Sequence, residues 1–115
     1  RDVAGSKQAY ETGRAALALG KLAPAQQAFT TAVRLDPDNA AAVCGLAEVA
    51  FERAQYTEAV DHARRAARMS PRMSKAHVVL GDALFRLLRW DDARAAYRKA
   101  QALAPNDPSI QQRLA

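Results

Sequence analysis

The sequence predicts an all-α fold in which pairs of helices stack in a row, and three observations predict it. Pro37, Pro71 and Pro105 stand 34 residues apart. The residues ahead of each proline repeat one pattern of small and large side chains in the same phase, without insertion. From Ser6 to Leu19 the apolar residues recur at spacings near three and four, as one helical stripe requires. A fixed period in this range marks units that bury their apolar faces only against their neighbours, so the chain is built as a row rather than a ball.

Placing each proline at position 32 of a 34-residue unit divides the chain into a linker at 1–5 and units at 6–39, 40–73 and 74–107. The first unit opens with a helix from Ser6 to Leu19, whose Ala9, Ala16, Leu17 and Leu19 form the stripe among good helix formers. Gly20 and Lys21 break it. Pro24 suits the first turn of a second helix, where its missing N–H is no loss, and Asp36 and Pro37 stop that helix after Leu35. Thr57 and Asp91 are the expected caps of the corresponding helices in the next two units, and Ser74 of the third unit's first helix. At about 13 residues each helix spans roughly 20 Å. After Pro105, Asn106 and Asp107 offer a cap and Pro108 a first helical residue. Residues 108–115 keep the phase, as a capping helix or the start of a fourth unit. The first residue is Arg1, with no methionine before it, which reads as a fragment of a longer protein.

Small residues occupy the points where helices must cross closely: Gly13, Ala47 and Gly81 at position 8, Ala25, Ala59 and Ala93 at position 20, and Ala32, Ala66 and Ala100 at position 27. Large residues fill the gaps: Leu46 and Leu80 at position 7, Leu22, Tyr56 and Trp90 at position 17, Phe29 and Tyr97 at position 24. Burying one such side chain as large as Phe29 or Trp90 contributes about 1.5–3 kcal/mol, so losing either should matter more than losing a surface charge.

This pattern resembles the tetratricopeptide repeat over residues 6–107. Departures are Thr12 for a usual leucine, Ala9, Val43 and His77 where tryptophan is common, and Ala63 for an aromatic. The resemblance implies a right-handed superhelical solenoid of antiparallel helix pairs, whose first helices line a concave groove through positions 2, 5, 9, 12 and 13. Those positions place Lys7, Tyr10, Arg14 and Leu17 in the groove from the first unit. The second contributes Cys44, Glu48, Phe51 and Glu52, and the third Lys75, Val78, Asp82, Phe85 and Arg86. Leu17, Phe51 and Phe85 would form an apolar stripe rimmed by mixed charge, suited to a helix or extended peptide. Relatives that grip a peptide's terminal carboxylate do so with a set of lysine, asparagine and arginine residues. Here only Lys75 matches that set, with Tyr10, Arg14, Gly45 and Val79 at the other positions, so acidic chaperone tails are disfavoured as ligands.

Composition narrows the function classes. The net charge of +5 is spread as +1 over residues 1–39, +1 over 40–73, +2 over 74–107 and +1 in the tail, with no dominating block. Arginine outnumbers lysine 13 to 4, which with the abundant alanine suggests a GC-rich bacterial source. No run of ~18 apolar residues is present to span a bilayer. The single cysteine excludes an internal disulfide, and the cytoplasm is the default setting, with a periplasmic or membrane-anchored parent the alternative.

The inventory for catalysis is thin. His62 falls on the outer face of a second helix and reads as solvated; His77 sits at a core position. Neither His62, His77 nor Cys44 stands in a metal-ligand or nucleophile pattern, and no phosphate-binding glycine loop occurs. No catalytic residue, cofactor, metal or small-molecule substrate is expected. The leading expectation is a protein–protein interaction module, with self-association through the open end of the row as the alternative. A third reading uses the basic outer face, Arg64, Arg65, Arg68 and Arg72 with Arg94, Arg98 and Lys99. Solvation explains those side chains best and an acidic protein partner next; nucleic acid is a minor option, since no base-stacking aromatics accompany them.

Overall fold

The computed structural model describes all 115 residues, as seven helices and no strand. They are α1 (Val3–Ala18), α2 (Leu22–Leu35), α3 (Ala40–Glu52), α4 (Tyr56–Met69), α5 (Ser74–Arg86), α6 (Trp90–Leu103) and α7 (Pro108–Leu114). The helices pair as hairpins, α1 with α2, α3 with α4 and α5 with α6, and each hairpin packs on the next through α2 on α3 and α4 on α5. The first helices also touch one another, α1 on α3 and α3 on α5, giving a row 39 × 25 × 22 Å. No helix is long and apolar enough to cross a membrane.

The small-residue positions are the crossing points. All nine, from Gly13 to Ala100, are buried. At the first junction Phe29 is fully buried, and a Cβ added to Gly13 or Gly45 would stand 2.6 or 2.7 Å from its ring. Gly81 faces Tyr97 in the same way, at 2.5 Å. Where the aromatic is missing, the neighbours grow: Ala63 shares its buried cluster with Ala47 and Val79, which stand one repeat after Gly13 and Gly45. The departure at Ala63 is therefore compensated in volume rather than left as a void.

Each hairpin turns at the same repeat position, with a positive φ at Gly20 (72°), Ala54 (60°) and Leu88 (64°). The chain is held there by paired bonds, Lys21 N–H to Ala16 and Gly20 N–H to Leu17 in the first, with Gln55 to Ala50, Ala54 to Phe51, Arg89 to Leu84 and Leu88 to Phe85 in the others. This is the left-handed helix stop that glycine makes without strain and that alanine and leucine make at a cost of about 1–2 kcal/mol.

Several expectations need correction. Residues 3–5 are the first turn of α1 rather than linker, because Asp2 caps the helix by accepting from Gly5 N–H at 2.8 Å. Arg1 is also tied down, to Asp36 and Asp38. Thr57 and Asp91 are not caps: the turn places Gln55 and Arg89 ahead of α4 and α6, so both residues already lie inside the first turn. Ser74 is likewise the first residue of α5, behind Met73. Asn39 and Asp107 do cap, accepting from Ala42 and Ser109 N–H. Trp90 is not a buried filler but 51% exposed. In the middle of α6 Tyr97 is buried, and Ile110 of α7 covers the row at 1% exposure.

Candidate functional site

The concave side holds a groove of about 670 Å³ between α1, α3 and α5, closed at one end by α7. Its apolar wall comes from Leu17 and Phe51, near the C-terminal ends of α1 and α3, with Val78 of α5. Arg14, Glu48, Glu52, Lys75 and Asp82 supply the polar wall. Phe85 and Arg86 line an adjoining hollow of about 550 Å³, shared with Phe51, Asp82 and Arg113.

Most of the groove's charges are satisfied within the wall. Arg14 donates through Nη1 to both oxygens of Glu48, at 2.9 and 3.0 Å, and Lys75 Nζ approaches the same carboxylate at 3.3 Å. Burial lowers the Arg14 pKa, but the hydrogen bond and charge of Glu48 outweigh it and the pKa rises. Asp82 is held from two sides, accepting from Tyr97 Oη at 2.6 Å and from Arg113 Nε and Nη2 at 2.8 and 3.0 Å. The fork of Arg113 on Asp82 matches the bidentate geometry that makes arginine–carboxylate pairs strong. Its hydrogen bond to Asp82 raises the Arg113 pKa against the effect of burial, while burial and then the bond to Asp82 raise that of Tyr97. Arg113 therefore pins α7 across the end of the groove.

Two aromatic pairs occupy equivalent repeat positions. Phe51 meets Tyr56 edge-on with centroids 5.4 Å apart, and Phe85 meets Trp90 at 4.8 Å. The first pair is covered by the following unit: the Arg86 guanidinium lies 5.4 Å from the Phe51 centroid and 5.7 Å from that of Tyr56, and donates to Tyr56 Oη at 3.0 Å. The second pair has no such cover, and Phe85 is 49% exposed.

The remaining expected groove residues stand elsewhere. Cys44 is buried in the cluster of Val43, Ala47 and Ala63, and burial pushes its thiol up to about 12, so it offers a ligand nothing. Tyr10 leans on Phe29 with centroids 5.8 Å apart, and Lys7 is exposed but outside the groove lining. Arg113 is the charged groove residue that sequence reasoning missed, beside Gly20, Leu22 and Val79 in the same lining. Arg113 sits one repeat after Val79, a position given by the phase that residues 108–115 keep.

The histidines divide. His77 is 8% exposed, its Nε2 donating to the Pro71 carbonyl at 3.0 Å, and its Nδ1 lacks a partner. His62 is half-buried rather than solvated, and burial followed by the nearby Arg65 charge lowers its pKa.

Comparison with known proteins places this architecture. The sequence profile of the tetratricopeptide repeat matches residues 10–73 and 50–108. The chain belongs to the tetratricopeptide repeat family. Arrays of this family are protein-interaction modules, and that is the class in which this chain falls. A relative, small glutamine-rich tetratricopeptide repeat-containing protein 2 of Mycosarcoma maydis, is 28% identical over 114 residues, covering 99% of this chain and 32% of its own length. The chain spans 9–32% of the length of the curated relatives it matches. Among solved structures, the Sgt2 tetratricopeptide domain from Aspergillus fumigatus superposes with a TM-score of 0.91 at 25% identity, covering 98% of this chain and 76% of that one. The first such domain of Spaghetti (RPAP3), bound to the HSP90 peptide SRMEEVD, superposes at 0.95 with 23% identity, covering 99% and 93%. That likeness is one of fold.

Proposed function

We propose that this array, with units at 6–39, 40–73 and 74–107, holds a helical or extended segment of a partner protein in its concave groove by apolar anchors. The observation that carries the reading is the internal pairing of the groove's charges. With Glu48 engaged by Arg14 and Lys75, and Asp82 by Arg113, the surface left for a ligand is the stripe of Leu17, Phe51 and Phe85. Lys75, the one residue shared with carboxylate-gripping relatives, is already committed to Glu48. Glu52 and Arg86 flank the stripe without an ionic partner and would orient the ligand's charges; Arg86 lies over the aromatic pair. Aromatic and arginine side chains are the usual energetic centres of such surfaces.

This reading assigns the chain to a scaffold or adaptor rather than an enzyme and sets it in the cytoplasm. A bacterial source rests on the arginine and alanine content alone, since the named relatives are eukaryotic. Self-association is the second reading, favoured by the exposed cluster of Phe85, Leu88 and Trp90. Light scattering across micromolar to millimolar concentration separates the two; a strict monomer removes it.

The groove is tested by selecting displayed peptides on the chain and titrating the winners against Phe51→Ala with Phe85→Ala. The double variant is expected to lose more than about 1 kcal/mol of affinity, with its circular dichroism unchanged. The SRMEEVD peptide should bind too weakly for calorimetry to resolve. Equal affinity of selected peptides for both proteins would reject the groove.

A further inference from the structure

On the convex side, away from the groove, α4, α5 and α6 enclose a second hollow of about 740 Å³. It exists because the facing positions of α4 and α6 carry alanine: Ala67 on one wall, Ala95 and Ala96 on the other, over a floor that includes Leu80. Arg64 and Arg68 stand on the α4 rim and Lys99 on the α6 rim. None of the three is in an ion pair, whereas Asp92, the acidic residue of the lining, is held by Arg89 at 2.9 Å. Arg65, Arg72, Arg94 and Arg98 nearby on the same helices and the following turn are also without ionic partners.

We infer that this hollow docks an acidic peptide segment, seating an aliphatic side chain between α4 and α6 and its flanking carboxylates on Arg64, Arg68 and Lys99. Charge complementarity supports this occupant. Cations on both sides of a concave, low-dielectric wall reinforce one another's field over the hollow, and the one carboxylate of the lining, Asp92, is turned to an ion pair with Arg89. The alanine walls leave room for a branched aliphatic group. The one aromatic ring of the lining, His77, is 8% exposed and bonded to the Pro71 carbonyl, so no open ring face is left on which a nucleobase could stack, which sets a peptide ahead of nucleic acid. Helix macrodipoles account for basic residues toward the C-terminal ends of α4 and α6, but a dipole does not account for a hollow between them.

The test titrates the intact chain with three fluorescent probes of equal length: a peptide of Glu–Glu–Leu triplets, a glutamate-only peptide and a mixed-sequence single-stranded oligonucleotide. The leucine-bearing peptide is expected to bind about tenfold more tightly than either other probe, and to weaken with added salt. Arg64→Ala with Arg68→Ala and Lys99→Ala should reduce that affinity at least ~10-fold. Ala95→Phe, which fills the hollow at an exposed position without changing charge, should do the same while the helical spectrum is kept. The imidazole resonances of His77, in the hollow's lining, should shift on binding, and Phe51→Ala with Phe85→Ala should leave affinity unchanged. Absence of binding, equal affinity for the glutamate-only peptide, preference for the oligonucleotide, or indifference to Ala95→Phe would each overturn the proposal.

Discussion

The first and third units share their buried position-24 aromatics, Phe29 and Tyr97, and differ at the hairpin turn and in what lies beside it. In the first, the hairpin turns on Gly20 and the aromatic Phe29 is sealed between Gly13 and Gly45. In the third, the same turn falls on Leu88, 68% exposed at a φ of 64°, beside the open pair of Phe85 and Trp90. Burial in a row is thus decided less by a residue's own type than by the next unit along. Phe51 and Tyr56 are covered because Arg86 stands one unit on, whereas Phe85 and Trp90 are half exposed.

The largest effect should come from the sealed end. Phe29→Ala is expected to cost about 3–5 kcal/mol in urea denaturation, and Trp90→Ala about 1 kcal/mol or less. Equal losses would break the comparison. Adding Gly45→Val to Phe29→Ala copies the chemistry of Val79 and Ala63, and should restore part of the loss through coupling between touching residues. Purely additive losses would deny that the two junctions are built on one volume rule.

The turns give a smaller contrast with opposite signs. Gly20→Ala should destabilise by about 1 kcal/mol, since it places a side chain in the left-handed region. Leu88→Gly should stabilise by about 0.5–1 kcal/mol, relief of strain exceeding the added chain entropy while little buried area is lost. A Leu88→Gly variant less stable than the parent would mean that Leu88 is covered in solution.

A separate effect belongs to the middle unit and is absent at neutral pH, appearing only as the solution is made alkaline. Burial holds the Cys44 thiol protonated to about 12, while in the unfolded chain it ionises above ~8.5. The stability this represents is present in full below the unfolded value and is lost progressively as pH rises toward the folded one. Tyr10 and Tyr97, also raised by burial, add their own losses only above ~10. Stability should therefore already fall between those values in the parent and stay level in Cys44→Ala. A matching slope in both would clear the thiol of any part.

Much of the fold was legible because the phase of small residues is set by helix crossings that recur every unit, and all nine such positions are buried. The same phase found Asp107 and Pro108 at the start of α7. Trp90 defeated it because its residue type is that of a filler, whereas its exposure depends on a neighbour. Thr57 and Asp91 misled because cap chemistry is local while the helix start is fixed by the turn before it. At the groove, position alone found the wall but not its ion pairs. Glu48 is shared by Arg14 and Lys75 from two other helices, and Cys44 turns into a core, which only side-chain direction reveals.

The fit of Phe29 to Gly45, and of Ala63 to Val79, makes the units non-interchangeable. Were the second and third exchanged, the ring of Phe29 would meet valine where it now meets bare backbone. A second unit copied behind itself would leave Ala63 facing glycine across an empty gap. Each unit thus specifies its successor, and gene duplication or shuffling within such a chain can be tolerated only when both sides of a junction travel together.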